Sequence, residues 1–163
     1  MSSKENLRFE SMITWLEFPI GNNSYVAELR TRLNQLNALR RELSPTANNF
    51  MYDDLMKYAG MSNECIFCLA RGEELVATAQ MSLLFPSMKP TAYVSGLVVA
   101  QKERGKGYGR HMLTAMIKYA EEERTFSEHG PVRLMLTSRP ERGTENFYTA
   151  LGFTGTPTIR YTK

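Results

Sequence analysis

The sequence predicts a mixed α/β domain in which a mixed sheet carries helices on both faces. Three observations predict it. Runs rich in β-branched and aromatic residues at 64–70, 75–85 and 92–100 follow one another with only short breaks between them, as hairpins do. Apolar residues at steps of three and four recur before and after those runs, as in amphipathic helices. Later segments alternate helix with strand, as βαβ units do. With 163 residues, the whole of 1–163 fits one domain.

Residues 7–20 read as a first strand, ending at Pro19 and Gly21. Asn23 or Ser24 then caps a helix whose apolar stripe is Val26, Leu29, Leu33, Leu36, Leu39 and Leu43, stopped by Ser44-Pro45. Residues 48–59 read as a second, shorter helix closed by Gly60. Of the three strands that follow, the first two are joined by the tight turn Arg71-Gly72-Glu73. The second is broken from the third by residues 86–90. From 107 to 123 the spacing is helical again, with Met112, Leu113, Met116, Ile117 and Ala120 facing inward. A strand at 132–137, a short helix at 144–151 closed by Gly152, and a last strand at 153–161 complete the order. No internal repeat or long linker divides the chain.

Hydrophobic residues make up 42% and charged residues 23%, the composition of an ordinary globular protein. Lysine and arginine number 20 against 17 aspartates and glutamates, leaving a net charge of +3. That is well below what a dedicated nucleic-acid-binding domain carries, and it suits a protein that cradles a polyanion. No window approaches the roughly 18 uninterrupted apolar residues of a membrane span. The first six residues show neither an apolar export segment nor an Arg-rich amphipathic one, so a cytoplasmic location is expected.

The segment with chemical content runs from Val98 to Leu113. A β-branched strand leads into a loop with glycines at alternate positions, Gly105, Gly107 and Gly109, and the loop opens an amphipathic helix. Glycine lets backbone approach a ligand and adopt positive φ. The helix N-terminus points unpaired N–H groups and partial positive charge into the same space. Together these make an anion site, for which phosphate is the usual occupant, and Arg104, Lys106 and Arg110 add charge. A Walker A loop needs Ser or Thr after its lysine, and none follows Lys106. A Rossmann loop needs G-x-G-x-x-G, which the glycine spacing here does not give.

The run Arg104-Gly105-Lys106-Gly107-Tyr108-Gly109 resembles motif A of the GNAT superfamily of acyl-CoA N-acyltransferases. Downstream, the run from Asn146 to Phe153 (Asn-Phe-Tyr-Thr-Ala-Leu-Gly-Phe) resembles the family's motif B, in the expected order and at the expected spacing. The resemblance covers most of residues 64–163. It implies a mostly antiparallel twisted sheet in which the cofactor, acetyl-CoA, enters a splay between two parallel strands, here 94–100 and 132–137.

It also implies roles. Main-chain groups of Leu97, Val98 and Val99 would pair with the pantetheine arm, and residues Arg104, Gly105, Lys106, Gly107, Tyr108, Gly109 and Arg110 would wrap the pyrophosphate. Tyr148 matches the family's general acid for the departing thiolate. A phenol with a pKa near ~10 stays protonated at neutral pH and can donate. Packing in the core is its competing role. Asn146 would bond the cofactor arm, and Arg139 and Arg142 would meet the adenosine 3′-phosphate. Where many members carry a glutamate base before motif A, this chain has Ser95, followed by Gly96. Neither residue is a base near neutral pH. The implied reaction is direct acetyl transfer to a primary amine, and Glu17, Asp53, Asp54 and His111 are the other candidate bases. The alternative is a non-catalytic acyl-CoA-binding or protein-interaction module on the same fold. The resemblance is compatible with a homodimer.

Other features have plainer readings. Cys65 and Cys68 have the spacing of a redox or zinc motif, but residues three apart in a strand point to opposite faces, and no second pair completes a zinc site. Buried thiols are expected and no metal. Arg30, Arg32, Arg40 and Arg41 suit the solvated face of the first helix better than an RNA contact. The 10 methionines suggest an adaptable lining or ordinary core filling. Acceptor selection is expected from residues 43–58 and 84–91, where Asp53 and Asp54 would attract a cationic amine.

Overall fold

The computed structural model describes residues 13–16, 30–59, 63–84, 89–122 and 131–156. Its strands are β1 (Ile13–Leu16), β2 (Glu64–Arg71), β3 (Glu74–Leu84), β4 (Thr91–Val99) and β5 (Arg133–Leu136). Its helices are α1 (Leu33–Leu43), α2 (Tyr52–Ala59), α3 (Tyr108–Glu122) and the short α4 (Glu145–Thr149). The strands form one sheet in the order β1-β2-β3-β4-β5. The first four are antiparallel to their neighbours, and β5 lies parallel to β4. A parallel neighbour needs a crossover, and α3 supplies it. The mixed sheet predicted from the pattern order is therefore observed.

Strand alternation sorts the core into two layers. Cys65, Phe67 and Leu69 of β2 belong to the cluster that holds Met112, Leu113 and Met116 of α3. Ile66, Cys68 and Ala70 belong to the opposite cluster, with Leu36 and Leu39 of α1 and Leu55 of α2. Being buried on both faces, β2 reads as an apolar run rather than as an alternating one. The two thiols fall on opposite faces, free and buried, as the spacing predicts. Phe67, Leu69 and Met112 are fully buried, and each such side chain stabilises the fold by about 1.5–3 kcal/mol.

Three expectations are corrected. The stripe running to Leu43 is not one uninterrupted helix: residues 30 and 31 are helical, Arg32 is a turn with φ −106° and ψ 11°, and α1 begins at Leu33. Val26, Leu29 and the caps at Asn23 or Ser24 lie outside the described residues, as does most of 7–20. The second helix starts at Tyr52, not at 48, because α1 holds the preceding residues. Asn37 bonds both backbone groups of Phe50 (Nδ2 to the carbonyl, 3.0 Å; Oδ1 from the N–H, 2.8 Å), and Arg40 donates to the Asn48 carbonyl at 2.8 Å. Asp54 then accepts the Met51 N–H at 2.8 Å, a side chain three residues on satisfying the helix entry. Finally, residues 153–156 of the expected last strand are irregular, and the remainder lies outside the described residues.

Candidate active site

The site is organised by one extra residue in β4. Thr78 pairs with Val98 and Gln80 with Ser95, so Gly96 and Leu97 together face Ala79. This is a β-bulge, and Gly96 occupies its left-handed position with φ +63°. The insertion flips the strand's alternation. Ala92 and Val94 lie in the α3 cluster before it, and Val98 and Ala100 lie in the α1 cluster after it. A bulge bends its strand. Pairing with β5 accordingly ends at Val94 with Leu136, and β4 runs on for five residues, 95–99, without a β5 partner. Leu97, Val98 and Val99 therefore lie beyond the last β4–β5 pair, where the resemblance places a splay between parallel strands.

Beyond β4 a single 3-10 turn (Gln101–Glu103) leads into the glycine loop. Gly105 and Gly107 have φ of +80° and +86°, and a Cβ built on either would meet nothing within 4 Å. Their backbone conformation and the open space in front of it are what a ligand-cradling loop needs. Tyr108 opens α3, whose ladder begins with the His111 N–H to the Gly107 carbonyl at 3.0 Å. The first turn of a helix points its N–H groups outward, here towards the loop. The loop's cations are unequally placed. Lys106 donates to Glu103 at 2.9 Å, and Arg104 reaches the Val99 carbonyl at 3.0 Å and Glu42 at 3.2 Å. Arg110 is exposed in the first turn of α3.

Glu103 clamps this loop from below. It is buried at 3% exposure and also receives both terminal nitrogens of Arg71, at 3.0 and 3.1 Å. The hydrogen bond from Lys106, first, and the nearby Arg71 charge hold its carboxyl below the ordinary range, against the opposing pull of burial. The Tyr108 side chain, first, and Glu103 push the Arg71 guanidinium above its ordinary value. Glu74 extends the chain of charges to Lys102. No sequence signal singled out Glu103, because its partner Arg71 lies 32 residues away.

The second motif meets the first at Gly109. A Cβ there would approach the Phe147 ring to 3.3 Å and the Val99 side chain to 3.6 Å. The end of β4, the start of α3 and the helix α4 converge on this one glycine, so an added side chain would press on the Phe147 ring. Tyr148, next to Phe147, is half-buried on the α3 face and packs edge-on against Phe147 (5.1 Å between centroids) and Phe153 (6.0 Å). Burial raises its phenol above the ordinary value, and the Arg142 charge opposes that only in part. Asn146 is exposed in the first turn of α4. Arg139 and Arg142 are both exposed, and Arg142 donates to the Leu43 carbonyl at 2.9 Å, at the C-terminal end of α1.

On the opposite face of the sheet a cavity of about 150 Å³ opens beside the bulge. Ile66, Thr78, Gln80 and Gly96 floor it, and Leu36, Arg40, Leu43, Ser44, Ala47 and Phe50 wall it. Ser95 pairs with Gln80 and so shares this face. Among the described residues the lining holds no Asp, Glu or His. Asp53 is exposed and Asp54 is engaged at the start of α2, so neither lines the cavity. Met81 is core and Met51 is 65% exposed, so these two do not line it either. Two of the four arginines expected on a solvated face depart from it. Arg30 and Arg41 are exposed as expected, whereas Arg32, in the turn before α1, is buried, and Arg40 is half-buried over the Phe50 ring, 3.7 Å from its centroid. Segment 44–51 folds back across that side of α1, which its apolar spacing alone did not reveal.

Among the described residues no helix is long and apolar enough to cross a membrane, and no group of three His, Cys, Asp or Glu side chains is placed to hold a metal ion. The profile of the Acetyltransferase (GNAT) family matches residues 32–153. No curated protein matches the sequence. Among solved structures, an aminoglycoside acetyltransferase from an uncultured soil metagenomic sample, in complex with sisomicin, superposes with a TM-score of 0.71 at 16% identity, over 95% of this chain and 97% of that one. The aminoglycoside N-acetyltransferase AAC(6′)-Iy, in complex with CoA, gives 0.68 at 15% identity, with 93% of each chain covered. Glucosamine-6-phosphate N-acetyltransferase from Arabidopsis thaliana gives 0.65 at 13% identity, over 92% and 97%. At these identities the likeness is one of fold.

Proposed function

The chain belongs to the acetyltransferase (GNAT) family, and on that premise we propose that it transfers the acetyl group of acetyl-CoA to a primary amine, of a small molecule or a protein, by direct attack. The observation that carries the proposal is the convergence at Gly109, where the end of β4 beyond its β5 partner, the open glycine loop and the helix bearing Tyr148 meet. The residues present fit such a cofactor. The backbone of Leu97, Val98 and Val99 offers main-chain groups beyond the last β5 pair, and the backbone of the loop from Gly105 to Arg110, opening a helix, suits a pyrophosphate. Tyr108 packs inside and supports the loop, whereas Arg110 and Asn146 are exposed near its rim. Lys106 and Arg104 act at one remove, holding the loop's shape through Glu103, Glu42 and the Val99 carbonyl.

When bound, acetyl-CoA supplies an acetyl group activated as a thioester. The protein's part is to align the amine with it, an effect worth about 7–11 kcal/mol when geometry is good. Backbone N–H groups at Leu97 and Val98 polarise the acyl carbonyl. Tyr148 Oη gives its proton to the departing sulfur, and a phenol with a raised pKa is fully protonated for that task at neutral pH. Among the described residues neither carboxylate nor imidazole lines the cavity, and the candidate base Glu17 lies outside them, so water is the proposed acceptor of the amine's proton. That same absence favours the second reading, a protein that binds acyl-CoA without turnover. CoA release measured across a panel of primary amines separates them. Release with one class of amine, suppressed in Tyr148→Phe, supports transfer. Acetyl-CoA binding without release for any amine overturns transfer and leaves the binding module.

A further inference from the structure

The cavity beside the bulge is walled mainly by hydrocarbon. Leu36, Phe50 and Ile66, all buried, enclose about 150 Å³ of space together with the half-buried Leu43 and Ala47. We infer that the amine accepted there is carried on a compact apolar body, about the size of one six-membered ring, rather than on a sugar or a polyamine chain. The inference rests on the acetyl-transfer reading and names its substrate class.

An apolar cavity of roughly 150 Å³ walled by Leu, Ile and Phe accommodates a single benzene ring. The polar side chains in this lining are few. Thr78 gives its hydroxyl proton to the Phe67 carbonyl at 3.0 Å. Arg40 is engaged by the Asn48 carbonyl at 2.8 Å and by the Phe50 ring, 3.7 Å from its centroid. Ser44 and Gln80 are neutral. A sugar would give up its water here and leave most of its hydroxyls without partners, which costs more than the few available contacts return. A polyamine would bring a second ammonium group among apolar walls that penalise it. A hydrocarbon ring loses no hydrogen bond and gains by leaving water. The cavity also lies where such an amine is needed. Of its lining only Gly96 belongs to β4. Leu36, Phe50 and Ile66 lie in the α1 cluster, whereas Tyr148 packs on the α3 cluster, so the sheet stands between cavity and phenol. A ring seated in the cavity would bring its amine to β4 from the face opposite Tyr148. The amine nitrogen then forms the C–N bond as the C–S bond breaks, and Tyr148 Oη protonates the sulfur. Water accepts the amine's proton and restores that of Tyr148.

The test is a graded series of primary amines with acetyl-CoA and the full chain: ethylamine, benzylamine and naphthylmethylamine, beside glucosamine and putrescine. CoA release should favour benzylamine over ethylamine by about tenfold or more in kcat/KM, mainly through KM, because burying the ring adds apolar area. Naphthylmethylamine, glucosamine and putrescine should all fall below benzylamine. Ala47→Leu, which fills the cavity, should remove the advantage of benzylamine over ethylamine while acetyl-CoA affinity stays unchanged. Leu43→Ala, which enlarges it, should raise the rate with naphthylmethylamine. Equal rates with ethylamine and benzylamine would overturn the inference even with the transferase reading intact. So would a preference for glucosamine or putrescine, or a benzylamine advantage that persists in folded Ala47→Leu. If no amine releases CoA, the transferase reading fails, and calorimetry of benzylamine and ethylamine on the CoA-bound protein decides the site separately. Tighter binding of benzylamine that Ala47→Leu removes supports it, and no such difference rejects it.

Discussion

Tyr148 is the residue on which the proposed chemistry depends most. Its hydroxyl is raised above its ordinary value of 10.0 mainly by desolvation, so the protonated form persists throughout the neutral range. Tyr148→Phe should lower kcat by about 10²- to 10⁴-fold while leaving acetyl-CoA affinity nearly unchanged, a split that calorimetry beside steady-state kinetics resolves. A core role alone would show instead as lost stability with little loss in kcat. The pH profile carries a second signature. kcat/KM should rise with pH through the amine's own pKa and fall only above 10, where Tyr148 ionises. A descending acid limb near pH 4–5 that stays fixed when the amine is changed would instead reveal a carboxylate base on the protein. Glu103 makes a different prediction, about stability. Its folded pKa lies below the ordinary 4.5, so its contribution is complete above that value and is lost as pH falls from there through the depressed folded pKa. Glu103→Gln should lower Tm at neutral pH and flatten the fall in Tm on acidification through that window. An unchanged acid limb of the Tm curve would show that the clamp contributes nothing.

Two elements convert these residues into a site, the β4 bulge and the α1–α2 junction. Gly96 stands at φ +63° with only ordinary contact available to an added Cβ, 3.6 Å from Gln80 Oε1, so the cost of Gly96→Ala is conformational rather than steric. About 1–2 kcal/mol of lost stability is expected, together with weakened acetyl-CoA binding as the splay closes or shifts. At the junction, Asn37→Ala leaves both backbone groups of the buried Phe50 without partners and should cost about 1–3 kcal/mol by denaturant unfolding. Sequence reading fared differently at these two places. Strands β2, β3 and β4 and helix α3 were legible to within a residue or two, because burial imposes period 2 on one and 3.6 on the other. The bulge was not: Gly96 stands out as a glycine, but which partner residue it opposes is a matter of tertiary register. The start of α2 was misplaced for a similar reason, since side chains of α1 capture residues 48–50 in an extended path that local propensity cannot foresee.

Across the whole molecule, motifs distant in sequence become neighbours. The glycine loop and the Tyr148 helix touch through a single glycine, and that contact was foreshadowed only by the family resemblance of the two segments. The loop itself was legible as an anion cradle because alternate glycines before a helix have a direct physical meaning. Its lysine and arginine were legible only as charges. Their actual partners, Glu103 and Glu42, appear once strand and helix are assembled. The cavity beside the bulge was least visible of all, for it draws residues from α1, β2, β3, β4 and the segment between the helices, with no motif among them. All of this rests on one claim, that the splay and the glycine loop together hold acetyl-CoA. Isothermal titration of the protein with acetyl-CoA, beside free CoA, NAD and ATP and beside Gly107→Val, tests it most directly. Saturable binding of acetyl-CoA and CoA but not of NAD or ATP is expected, weakened by about tenfold or more when a side chain is forced onto the φ +86° position at 107. Absence of binding to either CoA species by the folded wild-type protein would contradict it.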